Sequence, residues 1–188
     1  PYTIQNYLAD QITVPRFSTE LPEFAEAEKA VQERIDHLMG IKGKKSVDSI
    51  HKELGHIMWE YVGMGRTEEG LKTALKLLKD IRKEFETNLF IPGSTEGVNI
   101  ELEKALRLND FITMGELIAY DALNRNESCG GHFREEYQTE EGEAKRDDEN
   151  YFYVSCWEYQ GSDDVAPVLY KEPLVYEAIK VQTRNYKS

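Results

Sequence analysis

The sequence predicts a mainly α protein: an antiparallel bundle of three to four helices followed by an extended, partly β C-terminal tail. Two observations carry this. From Leu21 to about Asn126 apolar residues recur three and four apart, the spacing of one helix face. After Asn126 that period stops, and YFYVSCWEYQ at 151–160 alternates and is rich in aromatics, as strands are. The chain then divides into a leading segment 1–20, a bundle 21–126 and a tail 127–188.

Residues 1–20 read as a short apolar piece and a polar connector at Pro15. In LPEFAEAEKAVQERIDHLMG, Phe24, Ala27, Val31, Ile35 and Leu38 form a helical stripe. Pro22 suits the first turn, Glu23 its positive end, and Gly40 the stop. After the basic loop IKGKKS, a second helix runs from Val47 to Val62, with Val47, Ile50, Leu54, Ile57 or Met58, and Tyr61 as its stripe. GMGRT breaks it. Thr67 caps a third helix, with Glu68 and Glu69 in the first turn. Its seam is Leu71, Ala74, Leu75, Leu78, Ile81 and Phe85, with Arg82 the polar member. FIPGSTEG is a loop. The fourth helix spans Asn99 to about Asn126, and its apolar residues spread over more than one face. That predicts a central helix touched on several sides. Short connections between such helices make a spectrin-repeat-like bundle. In the tail, EEYQTEEGEAKRDDEN is charged and solvent-facing, while VAPVLYKEP and AIKVQTRNY are further extended segments.

With 188 residues, 40% hydrophobic and 31% charged, the chain is long enough for a real core. A net charge of −12 argues against nucleic acid or an anionic membrane as partner. Cys129 and Cys156 make no disulfide framework and suit a reducing compartment. No run approaches the roughly 18 apolar residues of a membrane span, and no leader peptide is recognisable. A start at Pro1 suggests a piece of a longer protein, with the chemistry upstream.

Several patterns resemble sites. His51 and His56 in HKELGH are five apart, about 140° around a helix, whereas a helical zinc pair needs four. Half-buried or surface helix polars are the better reading. Cys129 and His132 are close in sequence, but nucleophile and base are normally brought together from distant segments. CGG followed by His132 and Arg134 could cradle an anion. That cradle needs a helix after the glycines, and here the helix precedes them, so a helix stop with Gly130 or Gly131 at φ > 0 is favoured. The aromatics at 151–159 fit a strand packed on a core, and Glu140 to Glu149 a solvated loop.

The order helix, GMGRT, helix, long helix, ESCGGHFREEY, RDDENYFY resembles the C-terminal part of succinate dehydrogenase and fumarate reductase flavoprotein subunits. Those proteins follow their last long helix with a Ser-Arg-Gly-Ala-His-x-Arg-like stretch, matched by Ser128, Gly130, His132 and Arg134. An Arg-Asp-Asp-Glu-Asn stretch comes next, matched by Arg146, Asp147, Asp148, Glu149 and Asn150. Arg66 matches an arginine before a bundle helix, and PYTIQNYLADQ is similar to the segment leaving the flavin-binding domain. Cys129 stands where many members have arginine, and Gly131 where many have alanine.

The resemblance implies a full-length enzyme interconverting succinate and fumarate on covalently attached FAD, peripheral on the cytoplasmic face of a bacterial inner membrane. Electrons would pass to an iron–sulfur subunit, then to membrane anchor subunits and quinone. It implies that FAD, metal and catalytic residues lie outside this segment. The ten matched residues would serve the interface with the flavin-binding domain and the iron–sulfur subunit. Arg134 would reach a carboxylate there. An L-aspartate oxidase-like flavoenzyme, or a free-standing helical interaction module, remains the alternative.

Overall fold

Ser46, Thr67 and Asn99 each precede a run of helix formers, and each side chain accepts the backbone N–H three residues on, at 3.2, 3.0 and 3.1 Å. They start the helices α3 (Val47–Val62), α4 (Glu68–Asn88) and α5 (Ile100–Asn124) of a computed structural model. The structure describes residues 2–12, 17–162 and 165–182. Asp48, Glu68, Glu69, Glu101 and Glu103 place negative charge in the first turns of these helices.

The chain forms two compact units, Pro1–Gly40 and Ile41–Ser188. The first holds α1 (Tyr2–Gln11) and α2 (Pro22–Gly40). α2 forms as expected, but along it Leu38 is buried while Phe24 and Val31 stay exposed. The Pro15 connector lies outside the described residues.

In the second unit, four two-residue strands, in two parallel pairs, fix the directions of the helices. β1 (Lys45–Ser46) enters α3 and pairs in parallel with β3 (Leu89–Phe90), which leaves α4. The start of α3 therefore lies beside the end of α4. β2 (Gly65–Arg66) leaves α3 and pairs in parallel with β4 (Phe133–Arg134), which follows α5. The ends of α3 and α5 thus lie together, and the three helices run up, down and up. Gly43 permits the β1 side: Gly43 N–H and Lys44 N–H donate to Leu89 O and Asn88 O at 3.0 and 2.9 Å. A Cβ on Gly43 would sit 1.9 Å from the Asn88 carbonyl carbon.

The core is the seam where the helices meet. Val47, Ile50, Leu54 and Val62 come from α3, and Leu71, Ala74, Leu78, Ile81 and Phe85 from α4. From α5 come Leu102, Ala105, Leu108, Ile112, Gly115, Ala119 and Ala122, a single heptad-like stripe. Phe111, Met114 and Ile118 on another face are 47%, 51% and 42% exposed, while Tyr120 and Asp121 of α5 meet Trp157 of the tail. Small residues let α5 lie close to its neighbours. A Cβ on Gly115 would meet Met58 Sδ at 3.1 Å, Leu54 at 3.6 Å and Leu78 at 3.7 Å. Arg82, the polar member of the α4 seam, reaches Glu116 of α5 at 2.6 Å.

After β4 the chain turns through a hairpin closed at Gln138 and Ala144, with Gly142 at φ 79°. It makes a short helix, α6 (Asp148–Tyr151), and then the antiparallel pair β5 (Tyr153–Glu158) and β6 (Val168–Pro173). β5 alternates as expected. Tyr153, Ser155 and Trp157 are half-buried, while Val154, Cys156 and Glu158 face out. Of the expected extended segment AIKVQTRNY, residues 178–182 form no strand, and the rest lies outside the described residues.

Candidate functional site

Two parallel helices ending side by side bring two negative dipole ends and two sets of unpaired carbonyls together. The stretch Ser128 to Tyr137 folds back over this end and supplies donors. Arg134 is 1% exposed. Its Nη1 donates to Ala122 O at 3.0 Å and Leu123 O at 3.4 Å, in the last turn of α5. Its Nε donates to Glu136 at 3.1 Å, and its guanidinium lies 5.5 Å from the Tyr137 ring centroid. Glu136 in turn accepts from Glu68 N–H at the start of α4. One arginine and one glutamate thus cap the end of one helix and the beginning of another. Burial alone would raise the Glu136 pKa, but the Glu68 N–H, its own N–H and Arg134 together hold it below the ordinary range.

Arg66 does the same for α3: its Nε donates to Val62 O at 3.2 Å and Gly63 O at 2.7 Å. Its Nη1 is 2.8 Å from His132 Nδ1. A guanidinium can only donate, so Nδ1 accepts, and the proton of the neutral imidazole sits on Nε2. Nε2 lies 2.9 Å from Arg125 O, the carbonyl of the α5 C-cap. His132 therefore bridges the two helix ends in one tautomer. Burial, followed by the charges of Arg66, Arg134 and Arg125, lowers its pKa, against the opposing hydrogen bond to Arg125 O. Burial first, then Arg134, also presses the Arg66 pKa down, and Asp121 opposes them.

Ser128, fully buried, holds the stretch in place: its Oγ accepts from Arg134 N–H at 2.9 Å and donates to Arg134 O at 3.1 Å. Cys129 and His132 exchange backbone hydrogen bonds at 2.8 and 3.1 Å across a reverse turn. Gly130 sits there at φ 58°, where a side chain would be strained. The glycines therefore make a turn beyond the helix, while the helix itself stops at Asn124 with Arg125 as its cap. A two-residue strand follows them rather than a helix, so the arrangement is not a phosphate cradle.

The two motif stretches meet. Ser128 N–H donates to Lys145 O at 2.9 Å, and Asp147 N–H to Glu127 Oε2 at 2.9 Å. Arg146 pairs with Asp148 and reaches Gln182 O at 3.3 Å. Asp147 caps α6 by accepting from Asn150 N–H at 3.2 Å. Asp148, Glu149 and Asn150 are exposed.

Sequence reading missed the centre of the network. Arg125 donates to Glu127 at 2.8 Å, to Tyr151 O and Tyr153 O at 3.1 Å each, and to Ser155 Oγ at 3.4 Å. Its guanidinium lies 5.6 and 5.0 Å from the Tyr151 and Tyr153 ring centroids. Glu127, 3% exposed, is its counter-charge. Beside it Trp157 Nε1 donates to Asp121 at 2.8 Å. A cleft of about 440 Å³ adjoins the network, lined among others by Arg66, Asp121, Arg125 and Trp157.

The other tempting residues lie elsewhere. His51 is exposed and stacks on Phe111, with centroids 5.4 Å apart, and His56 is exposed. Cys129 and Cys156 are free and exposed. The His132 ring is committed to Arg66 and Arg125, so it offers Cys129 no base. Among the described residues, no group of three or more His, Cys, Asp or Glu side chains is placed to hold a metal ion. No described helix is long and apolar enough to cross a membrane.

These features define a small helical domain whose buried charges fasten its own chain. The sequence model of a family described as "Fumarate reductase flavoprotein C-term" matches residues 51–186, and the chain belongs to that family. A fumarate reductase flavoprotein subunit of Proteus vulgaris is 29% identical over 148 residues, which is 77% of this chain and 24% of that protein. A chloroplastic L-aspartate oxidase of Nicotiana tabacum is 37% identical over 88 residues, 47% of this chain and 13% of that protein. The chain thus spans a quarter or less of these relatives' length. In a solved E. coli quinol fumarate reductase, the fold recurs with TM-score 0.69 at 21% identity, over 92% of this chain and 28% of that one.

Proposed function

We propose that this chain is the C-terminal helical domain of a flavoprotein subunit that interconverts succinate and fumarate. The flavin-binding part of the same polypeptide would hold FAD. Electrons would leave through an iron–sulfur subunit to membrane anchors and quinone, with the subunit peripheral on the cytoplasmic face of a bacterial membrane. The guanidiniums of Arg66, Arg125 and Arg134 are committed to helix carbonyls and to Glu127 and Glu136, which supports a flavin held outside this chain. Its part is to present a rigid surface to the flavin-binding domain and the iron–sulfur subunit. Of the matched residues, Ser128 and Arg134 work from inside by shaping the turn, while Gly130, Arg146, Asp148, Glu149 and Asn150 lie on or near the surface available to partners.

The observation that favours succinate and fumarate over L-aspartate is the reach of the likeness. The fumarate reductase relative matches 77% of the chain and the aspartate oxidase 47%. The test is purification of the full-length protein and assay with succinate plus a dye acceptor, with fumarate plus a reduced dye, and with L-aspartate plus oxygen. Turnover in the first two assays is expected. Turnover with L-aspartate alone would overturn the reading in favour of an oxidase.

A further inference from the structure

Between α4, α5 and the chain leaving β5 lies a cavity of about 320 Å³ that the fumarate reductase reading does not use. One wall is aromatic: Tyr120 and Trp157 meet edge to face, centroids 5.0 Å apart at 71°. Trp157 is held in place by its hydrogen bond to Asp121 at 2.8 Å, so the ring face is set before any ligand arrives. Leu75, Leu117 and Pro167 add aliphatic surface. The Glu116 carboxylate in the lining is neutralised by Arg82 through two hydrogen bonds of 2.6 and 3.2 Å. Lys79, exposed on α4, lines the cavity as a donor.

We propose that this cavity binds a flat, uncharged, two-ring aromatic molecule, its rings against Trp157 and Tyr120 and a polar oxygen toward Lys79. Size supports this: an apolar cavity of about 150 Å³ accepts one benzene ring, and this one is roughly twice as large. Its lining is mostly apolar with a few polar groups, the usual make-up of a small-molecule pocket. Charge supports it as well. A chain at −12 repels anions, Lys79 opposes a cation, and a dicarboxylate would leave a charge against apolar walls. The inference does not rest on the succinate and fumarate reading.

The test is a titration of the 188-residue chain with 2-naphthol, followed by tryptophan emission in a Trp59→Phe background. Trp59 is 83% exposed and one of two tryptophans, so the remaining signal comes from Trp157. Saturable quenching is expected. Ala166→Phe, at an exposed position lining the cavity, should weaken binding about tenfold or more with an unchanged far-ultraviolet dichroism spectrum. Should that spectrum change, Leu75→Phe, filling from the facing helix, must give the loss instead. Naphthalene-2-carboxylate should bind about tenfold more weakly than 2-naphthol. Linear quenching without saturation, or full binding by the filled variants, would overturn the site. Equal binding of the carboxylate would overturn the ligand class.

Discussion

The two ends of the α3–α5 pair are closed in different ways. Where the helices begin, Ser46 and Asn99 each cap from within their own segment, accepting the N–H three residues on. Where they finish, Arg66 caps α3 from three and four residues on, but the ties that join the two ends come from afar. His132 ties Arg66 to the end of α5, and Arg134 reaches back to Ala122 and Leu123. The difference follows from chemistry. A helix start offers N–H donors that a short oxygen side chain can accept. A helix end offers carbonyls, and two ends together need cationic donors long enough to reach them. Local capping starts a helix, and long-range capping fastens the tail onto the bundle.

The largest effect should come from breaking the long-range end. Arg134→Met leaves the carbonyls of Ala122 and Leu123 without this donor and Glu136 without its partner. Removing one member of a buried pair costs about 3–5 kcal/mol, and the 39% exposure of Glu136 sets the expectation at the lower figure. Urea unfolding should show a loss of about 3 kcal/mol. Arg134→Lys should recover only part of it, because an ammonium lacks the fork.

At the local end, Ser46→Ala and Asn99→Ala should each cost about 1 kcal/mol, within the usual range for N-caps. The two should add, since they cap separate helices.

The smallest effect separates the ends by pH. The folded pKa of His132 is held below its ordinary value of about 6.5, first by burial. Between the folded and unfolded pKa values the unfolded chain binds more protons, so stability rises with pH and reaches its full value above roughly pH 7. In His132→Gln this contribution to the slope between pH 5 and 7 should vanish, as denaturation midpoints across that range would show. An unchanged slope would mean that His132 is not the neutral bridge.

How much of this was legible depends on the range of each interaction. The α3 and α4 stripes, the Thr67 cap and the alternation of β5 are local patterns, and the sequence shows them. The single buried stripe of α5 was obscured because Gly115, Ala105, Ala119 and Ala122 make it, while the larger Phe111, Met114 and Ile118 stay exposed. Small residues carry little hydrophobic signal but permit close helix approach. The family resemblance pointed to Arg66, His132 and Arg134 as a group. It did not reveal that Arg134 is buried in its own chain, nor the roles of Arg125 and Glu127, which pair with each other and tie to Asp147, Tyr151 and Tyr153, 20 or more residues away. Hydrogen bonds between distant segments leave no periodicity to read.

Hydrogen exchange of Arg134→Met beside Asn99→Ala tests the fastening most directly. With Arg134→Met, amides in the last turns of α3 and α5 and along β2 and β4 should exchange faster than those in the first turn of α5. With Asn99→Ala the order should reverse. Equal acceleration at both ends in the Arg134 variant, or none at the ends of α3 and α5, would contradict the account.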